Sequence, residues 1–290
     1  MMADATTNGR PFIKMHGLGN DFVVLDARAD DGSLTQALAG APARAIADRR
    51  HGVGCDQLII LETPRDASAD IFMGILNADG GEVGACGNAT RCIAAMVMDE
   101  QGGDMAVVET LAGPLRTARA PGGHITVDMG PVKTEWRDIP LAQETDTLHL
   151  GINVGALVDP VAVNVGNPHA SFFVDEVDAI DLQALGPEVE HHPLFPERTN
   201  VQIIQVLSPE RIRVRVWERG VGITRASGSS ATATAIAASR RGHTGRRVEV
   251  VLDDGPLVVE WRDDNHVTQT GPWAESFRGT LAPDMLAGTS

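Results

Sequence analysis

Two short stretches of the chain place a sulfur or oxygen side chain at the predicted start of a helix. Cys86 opens CGNATRCIAA, and Ser227 opens SGSSATATAIAA. In both, a glycine and a polar residue precede a run of small side chains, a pattern that predicts a helix with N–H groups open to an anion. We expect Asn88 and Ser229 to cap these two helices.

These helix starts suit the removal of a proton from a carbon beside a carboxylate. The positive end of a helix favours a thiolate, so Cys86 can serve as a base. The N–H groups can hold the carboxylate and stabilise the negative charge that grows when the neighbouring C–H bond breaks. A base on each face of that carbon would invert it. The structural alternative is a buried, inert cysteine, and we place Cys92 in that class.

The elements that must position these residues form two similar halves. In the first half, apolar runs closed by turn residues predict strands. The helix after Asn88 is apolar on nearly every side, so we expect strands to enclose it. In the second half, RIRVRVWERG alternates as a half-buried strand does, and RVEVVLDDGPLVVEW predicts two strands around an Asp-Gly turn. The matching helix starts indicate an internal duplication, with a boundary near residue 130.

Length, charge and cysteine content exclude several classes of protein. A chain of 290 residues, 43% hydrophobic, suits one large domain or two lobes. The 39 acidic and 24 basic residues give a net charge of −15, which disfavours nucleic acid and anionic membranes as partners. The sequence shows neither a signal-peptide pattern nor a long apolar run, and three cysteines do not suggest a disulfide framework. We expect a cytoplasmic protein.

Six motifs occur in order along nearly the whole chain: MHGLGNDF, GVGCDQL, NADGGEVGACGNATRC, VGNPHA, FPERTNV and WERGVGITRASGS. Together they resemble the diaminopimelate epimerase family. The resemblance implies a cofactor-independent two-base enzyme with an α/β (α+β) fold. It also implies two pseudo-symmetric lobes, each a β-barrel-like sheet around a central helix, with the active site between them. We place the lobes at 1–130 plus 272–290, with Cys86, and at 131–271, with Ser227.

Ser227 departs from the family pattern, which has cysteine at both helix starts. A serine hydroxyl can donate a hydrogen bond but does not approach a thiolate at neutral pH. We therefore hypothesise a disabled or one-sided enzyme, in which Cys86 removes a proton from one face and reprotonation from the other is poor. The close match of the flanking motifs favours an introduced substitution; the alternative is a native serine with an altered reaction type.

The resemblance also implies a set of substrate-binding residues. A substrate with two zwitterionic amino-acid ends needs acceptors for ammonium and donors for carboxylate, which amides with one glutamate and one arginine supply. By motif match these are Asn20, Gln57, Asn77, Asn167, Asn200, Glu218 and Arg219, with backbone N–H groups from Gly87, Asn88, Gly228 and Ser229. Taken singly, each is more typical of a turn residue or a surface ion pair, and their joint fit to the family pattern reverses that interpretation. His169 either orients a catalytic group or is a satisfied structural histidine.

The implied activity interconverts LL- and meso-diaminopimelate by two-base α-proton transfer, in lysine and cell-wall precursor synthesis. Three alternatives stay open: a non-catalytic amino-acid binder, a one-base racemase or dehydratase acting on another amino acid, and a hydrolase using Cys86 with a histidine. Pyridoxal phosphate is disfavoured because neither Lys14 nor Lys133 has a phosphate-binding context. No metal-ligand spacing is apparent, so no cofactor is expected. Two-lobed members of this group often pair, which makes a homodimer an option.

Overall fold

The computed structural model describes residues 9–30 and 33–286, which fold into two compact units. The first unit comprises the residues up to Val127 together with those from Pro272 onward, and the second comprises Asp128–Gly271. The fold is α+β, with far more strand than helix. Among the described residues, no helix combines the length and the apolar character needed to cross a membrane.

The elements are numbered along the chain. The first ten elements are β1 Arg10–Gly17, β2 Asn20–Asp26, α1 Leu34–Leu38, α2 Ala41–Ala47, β3 Gln57–Glu62, β4 Ile71–Asn77, α3 Gly87–Gln101, β5 Met105–Thr110, β6 Gly113–Arg119 and β7 Ile125–Pro131. Then follow β8 Asn153–Val154, β9 Leu157–Val158, β10 Val161–Asn164, β11 Pro168–Phe173, α4 Leu182–Glu190, β12 Asn200–Ser208, β13 Arg211–Glu218, β14 Gly222–Thr224, α5 Gly228–Arg240, β15 Arg247–Leu252, β16 Gly255–Trp261 and β17 His266–Gly271. The chain ends with β18 Ala274–Leu281 and α6 Pro283–Leu286.

The sheet of the first unit has the order β18-β1-β2-β3-β4-β5-β6-β7. Two neighbouring pairs, β2 with β3 and β4 with β5, are parallel. The remaining pairs are antiparallel. The helix α3 makes the connection between the parallel strands β4 and β5, which need a long crossover.

The second unit repeats this plan. Its sheet has the order β10-β11-β12-β13-β15-β16-β17, with β14 paired to β13. Again two pairs are parallel, β11 with β12 and β13 with β15, and a helix, α5, connects the latter pair. The other neighbours are antiparallel. From β1 onward the strand pairs of the first unit have the same succession of directions as those of the second, which agrees with an internal duplication; β18 has no counterpart in the second unit.

The two connecting helices lie buried against their own sheets, which for α3 is what its apolar pattern predicts. Along α3 the buried side chains include Cys92, Ile93 and Met98, and along α5 they run from Ser230 to Ala238 without interruption. The α5 helix packs against β10 to β13 and β15 to β17. Its alanine, serine and threonine side chains allow this many strands to approach one helix. Each helix start is therefore held at a fixed place on its sheet.

Candidate active site

The residues that begin the two central helices have the same backbone conformation. Cys86 precedes α3 with φ −146° and ψ 110°, and Ser227 precedes α5 with φ −145° and ψ 115°. Both are therefore the N-cap residues themselves. The prediction that Asn88 and Ser229 cap the helices was wrong: each cap lies two residues earlier and each helix begins at the glycine, because the extended conformation ends at Cys86 and Ser227.

Cys86 lies in a small cluster of amide side chains. Its Sγ is 3.7 Å from Oδ1 of Asn20, and the thiol can donate to that oxygen. The same oxygen accepts a hydrogen bond of 3.2 Å from Nδ2 of Asn88. The other end of the Asn20 amide donates to Asp56, at 3.0 Å. Cys86 itself is partly exposed. Three of the predicted site residues are thus brought together at the start of α3.

Two further predicted residues form a pair across neighbouring strands. Gln57, the first residue of β3, is in register with Asn77, the last of β4, and its Nε2 donates to Oδ1 of Asn77 at 2.9 Å. Gln57 directly follows Asp56, the partner of Asn20. The strand ends of β2, β3 and β4 therefore place these amides at one edge of the sheet, where the register of the strands aligns them.

The other two thiols of the chain differ strongly from Cys86. Cys55 is 2% exposed and Cys92 is 0% exposed. Burial raises the pKa of Cys55 to about 11 and that of Cys92 to about 12. Both are protonated at neutral pH and enclosed by the core. Cys86 is thus the thiol of this chain that a substrate can reach.

Ser227 caps its own helix and lies beside a partly buried carboxyl group. Its Oγ accepts from the backbone N–H of Ser230 at 3.4 Å. The carboxylate of Glu218 accepts from the hydroxyl of Thr224 at 2.6 Å, and the Ser227 hydroxyl also acts on it. Burial raises the pKa of Glu218, while the hydrogen bonds from Thr224 and Ser227 act in the opposite direction. The predicted substrate residue Glu218 therefore contacts the second helix start.

Asn200 holds the backbone of two neighbouring segments. Its Nδ2 donates to the carbonyl oxygen of Pro168, and its Oδ1 accepts from the N–H of Arg219, both at 3.0 Å. It is 3% exposed. The guanidinium of Arg219 donates to the carbonyl oxygen of Glu197 at 2.9 Å. Asn200 thus fixes the turn that carries Arg219.

His169 lies at the centre of a buried chain of hydrogen bonds. Its Nε2 is 2.6 Å from Oδ1 of Asn167, and its Nδ1 is 2.8 Å from Nε2 of Gln202, which also donates to Oγ of Ser230. Burial lowers the pKa of His169 to about 3. The ring is therefore neutral, with Nδ1 accepting from Gln202 and Nε2 donating to Asn167. This series of hydrogen bonds joins Asn167 to the first turn of α5.

Several side chains of the site were missed in the sequence, among them Asp56, Gln202 and Glu190. Asp56 lies inside the motif GVGCDQL, next to Gln57, and its place in the motif was the available signal. Gln202 lies on β12, two residues after Asn200, so it shares a face of the strand with Asn200. Glu190, buried at the end of α4, accepts from Nε1 of Trp217 at 2.7 Å and from the N–H of Gly220 at 2.9 Å. Nothing in the local sequence marks Glu190 as buried.

The chain matches the family model described as diaminopimelate epimerase over residues 12–135 and 161–274. A diaminopimelate epimerase of Rhodospirillum centenum is 56% identical over 280 residues, covering 97% of this chain and 95% of the relative. A diaminopimelate epimerase of Acidiphilium cryptum is 51% identical and covers 96% of this chain and 98% of the relative.

Solved structures of lower identity share the fold. A hydroxyproline epimerase from Agrobacterium vitis has a TM-score of 0.66 at 15% identity, covering 94% of this chain and 91% of that one. A phenazine biosynthesis protein from Enterococcus faecalis has a TM-score of 0.66 at 12% identity, covering 94% of this chain and 99% of that one. On the family model and the close relatives, this chain belongs to the diaminopimelate epimerase family.

Proposed function

We propose that this chain acts on diaminopimelate as an epimerase, interconverting the LL and meso forms by transfer of an α-proton without a cofactor. The observation that carries the proposal is the matched geometry of Cys86 and Ser227. Both are extended N-cap residues of a buried helix, and their φ and ψ angles agree within 5°. Each unit thus presents one proton-transfer position and one helix N-terminus.

In the proposed reaction, the substrate carboxylate binds the N–H groups at a helix start. The Cα–H bond breaks, the proton passes to the sulfur of Cys86 as thiolate, and the electron pair moves into the carboxylate, which the helix N-terminus stabilises. A proton returned from the opposite face completes the inversion. The first-turn N–H groups begin with Gly87 and Asn88 in one unit, and with Gly228 and Ser229 in the other.

The remaining contacts suit the polar ends of an amino acid. Gln57 and Asn77 offer amide donors and acceptors, and Glu218 can accept from an ammonium group. Arg219 supplies a positive charge for the distal carboxylate. Asn167 and Asn200 complete the proposed set. Lysine and cell-wall precursor synthesis is a cytoplasmic process, which supports a cytoplasmic location, and we propose a homodimer because two-lobed members of this group often pair.

Ser227 makes the second proton transfer slow in this proposal. Its hydroxyl keeps its proton at neutral pH, and its oxygen already accepts a hydrogen bond from the N–H of Ser230. A cysteine in the same place would be at the positive end of α5 and would ionise far more readily. The chain as it stands is therefore expected to exchange the α-proton on the Cys86 side and to invert slowly.

The test is exchange of the α-hydrogen of LL-diaminopimelate in D2O, followed by NMR, with inversion followed by chiral separation. We expect Ser227→Cys to raise the inversion rate by about 100-fold or more, the typical contribution of a positioned acid or base. Cys86→Ala should abolish exchange in both backgrounds, whereas Cys92→Ala, a change to a buried thiol on the same helix, should leave it unchanged. Equal inertness of this chain and Ser227→Cys would refute the proposal.

A non-catalytic amino-acid binder is the second candidate, and the hydrogen-bonded, proton-retaining Ser227 hydroxyl favours it. A binder would retain affinity for diaminopimelate in calorimetry and show no exchange in D2O. If the parent chain binds diaminopimelate and Ser227→Cys restores exchange, the binding residues are intact and the parent lacks only an active proton-transfer group at position 227.

A further inference from the structure

Arg91 is a fully buried arginine on α3, five residues after Cys86. Its exposed fraction is 0%, and it is the largest side chain buried to that degree. Its Nε donates to the carbonyl oxygen of Pro272 at 3.1 Å, and its Nη2 donates to Oδ1 of Asn88 at 2.6 Å. Within the described part of the chain, its buried Nη1 has no hydrogen-bond partner.

The positive charge of Arg91 is not balanced by a carboxylate. Among residues 9–30 and 33–286, no aspartate or glutamate forms an ion pair with it. Burial lowers the pKa of the Arg91 guanidinium, while the thiols of Cys92 and Cys86 act in the opposite direction. An unpaired buried charge is strongly unfavourable for folding. A buried arginine without a carboxylate partner therefore indicates a role other than stabilising the fold.

The hydrogen bond from Arg91 determines how the Asn88 amide is oriented. A guanidinium has only donors, so the amide must turn its oxygen towards Arg91 and its NH2 group towards Asn20. That NH2 group donates to Oδ1 of Asn20, the atom that also lies 3.7 Å from Sγ of Cys86. Arg91 therefore fixes the orientation of the Asn88 amide, which in turn holds the Asn20 oxygen that lies beside the Cys86 thiol.

The surrounding backbone leaves room for this arrangement. A Cβ atom on Gly17, at the end of β1, would lie 3.1 Å from Nη2 of Arg91 and 3.1 Å from the carbonyl oxygen of Asn88. Both distances are tighter than ordinary van der Waals contact. Because Gly17 has no side chain, β1 can lie close to Arg91 and Asn88 and bury them.

The charged and titratable groups around β1 and the start of β2 include Lys14, His16, Asp21, Arg49 and Asp56. The exposed Glu82 lies four residues before Cys86, and β5 and β6, which also pack on α3, carry Glu109, Arg116 and Arg119. Lys14 and Arg49 contact Asp21 at 2.6 and 2.7 Å. Arg49 also contacts Asp56 at 2.7 Å, and Asp56 accepts from Asn20. These charges largely offset one another. Among the charged residues of α3, Arg91 is the nearest to the start of the helix, and no carboxylate of the described residues balances its charge.

We propose that Arg91 is a positioning residue for the first proton-transfer group: through Asn88 and Asn20 it orients the Cys86 thiol, and its unpaired positive charge favours the thiolate. This rests on the proposed function only in the use made of the thiolate; the effect on the thiol itself is independent of any substrate. Arg91 does not touch the substrate.

The experiment measures alkylation of Cys86 by iodoacetamide from pH 6 to pH 10, located by peptide mass spectrometry. We compare the parent chain with Arg91→Met, Arg91→Lys and the control Arg116→Met, an exposed arginine on β6. We expect Arg91→Met to slow alkylation at pH 7 by about tenfold and to move the pH profile upward, with partial rescue by lysine. Arg116→Met should match the parent.

Failure of this proposal can be told apart from failure of the proposed function. An alkylation rate and pH profile for Arg91→Met within twofold of the parent would overturn the positioning role. If Arg91→Met does not fold, Arg91→Lys takes its place, because it keeps the charge but loses the fork that orients Asn88. We expect Arg91→Lys to be alkylated more slowly than the parent, and a rate equal to that of the parent would overturn the positioning role through Asn88 and Asn20. Altered alkylation with no α-hydrogen exchange in the Ser227→Cys background would sustain the role of Arg91 and refute the epimerase proposal instead.

Discussion

The ring of His169 and the side-chain oxygen of Asn167 lie 2.6 Å apart, so that a fully buried histidine holds a proposed substrate residue. The other ring nitrogen is held by Gln202, which also reaches Ser230 in the first turn of α5. The histidine is thus neutral and orients Asn167 relative to the second helix start.

The low pKa of His169 predicts acid sensitivity. Its pKa falls from the ordinary 6.5 to about 3 in the folded chain, so below pH 6.5 the unfolded chain binds a proton that the folded chain does not. The stabilisation is complete above pH 6.5 and decreases as the pH falls towards 3. Lowering the pH from 7 to 5 should therefore reduce the free energy of unfolding by about 2 kcal/mol through His169 alone. Denaturant unfolding at both pH values should show a smaller loss in His169→Gln than in the parent; equal losses would contradict the prediction.

Removal of the side chain at the two helix starts should have unequal effects on stability. Ser227 accepts a hydrogen bond from the N–H of Ser230, whereas Cys86 makes no side-chain cap bond to α3. Ser227→Ala should therefore lower the free energy of unfolding by about 1 kcal/mol. Cys86→Ala should lower it by less than about 0.5 kcal/mol. Urea unfolding of the two variants measures the difference, and equal losses would mean that the cap of α5 contributes little.

Native alkylation should single out one thiol of three. Cys55 and Cys92 are buried, with their pKa raised to about 11 and about 12, while Cys86 is partly exposed. Iodoacetamide at pH 7.5 should modify Cys86 alone in the folded chain and all three after denaturation in guanidinium. Intact-mass and peptide analysis gives the result. Modification of Cys92 at a comparable rate in the folded chain would show that α3 opens readily.

Glu190 should be required for the turn that carries Arg219. Its carboxylate accepts from the indole N–H of Trp217 and from the N–H of Gly220, so an amide in its place would face one of these donors with an NH2 group. Glu190→Gln should lower the free energy of unfolding by about 2 kcal/mol. In the Ser227→Cys background it should raise KM more than it lowers kcat. Glu188→Gln, an exposed change on the same helix, is the control, and equal behaviour of the two variants would exclude this role.

Local sequence predicted much of the fold and pointed to the residues of the site. Alternating and continuous apolar runs predicted β13, β15 and β16, because a strand's side chains alternate between two faces. The apolar helix after Cys86 predicted burial. Six ordered motifs carried the resemblance to the family, which the comparisons confirm. These features depend on residues near one another in the chain, so the sequence contains them directly.

Other features depend on the tertiary structure. Asn88 is suited to capping, yet its amide lies between Arg91 and Asn20, because β1 packs on α3 and the turn after it places Asn20 beside the start of the helix. The buried state of Arg91 is not visible in a sequence where arginine is usually exposed. The neutral ring of His169 likewise follows from β12 placing Gln202 against it. Residue types and order are properties of the chain, whereas burial, hydrogen-bond partners and protonation arise only when distant segments pack together and exclude water.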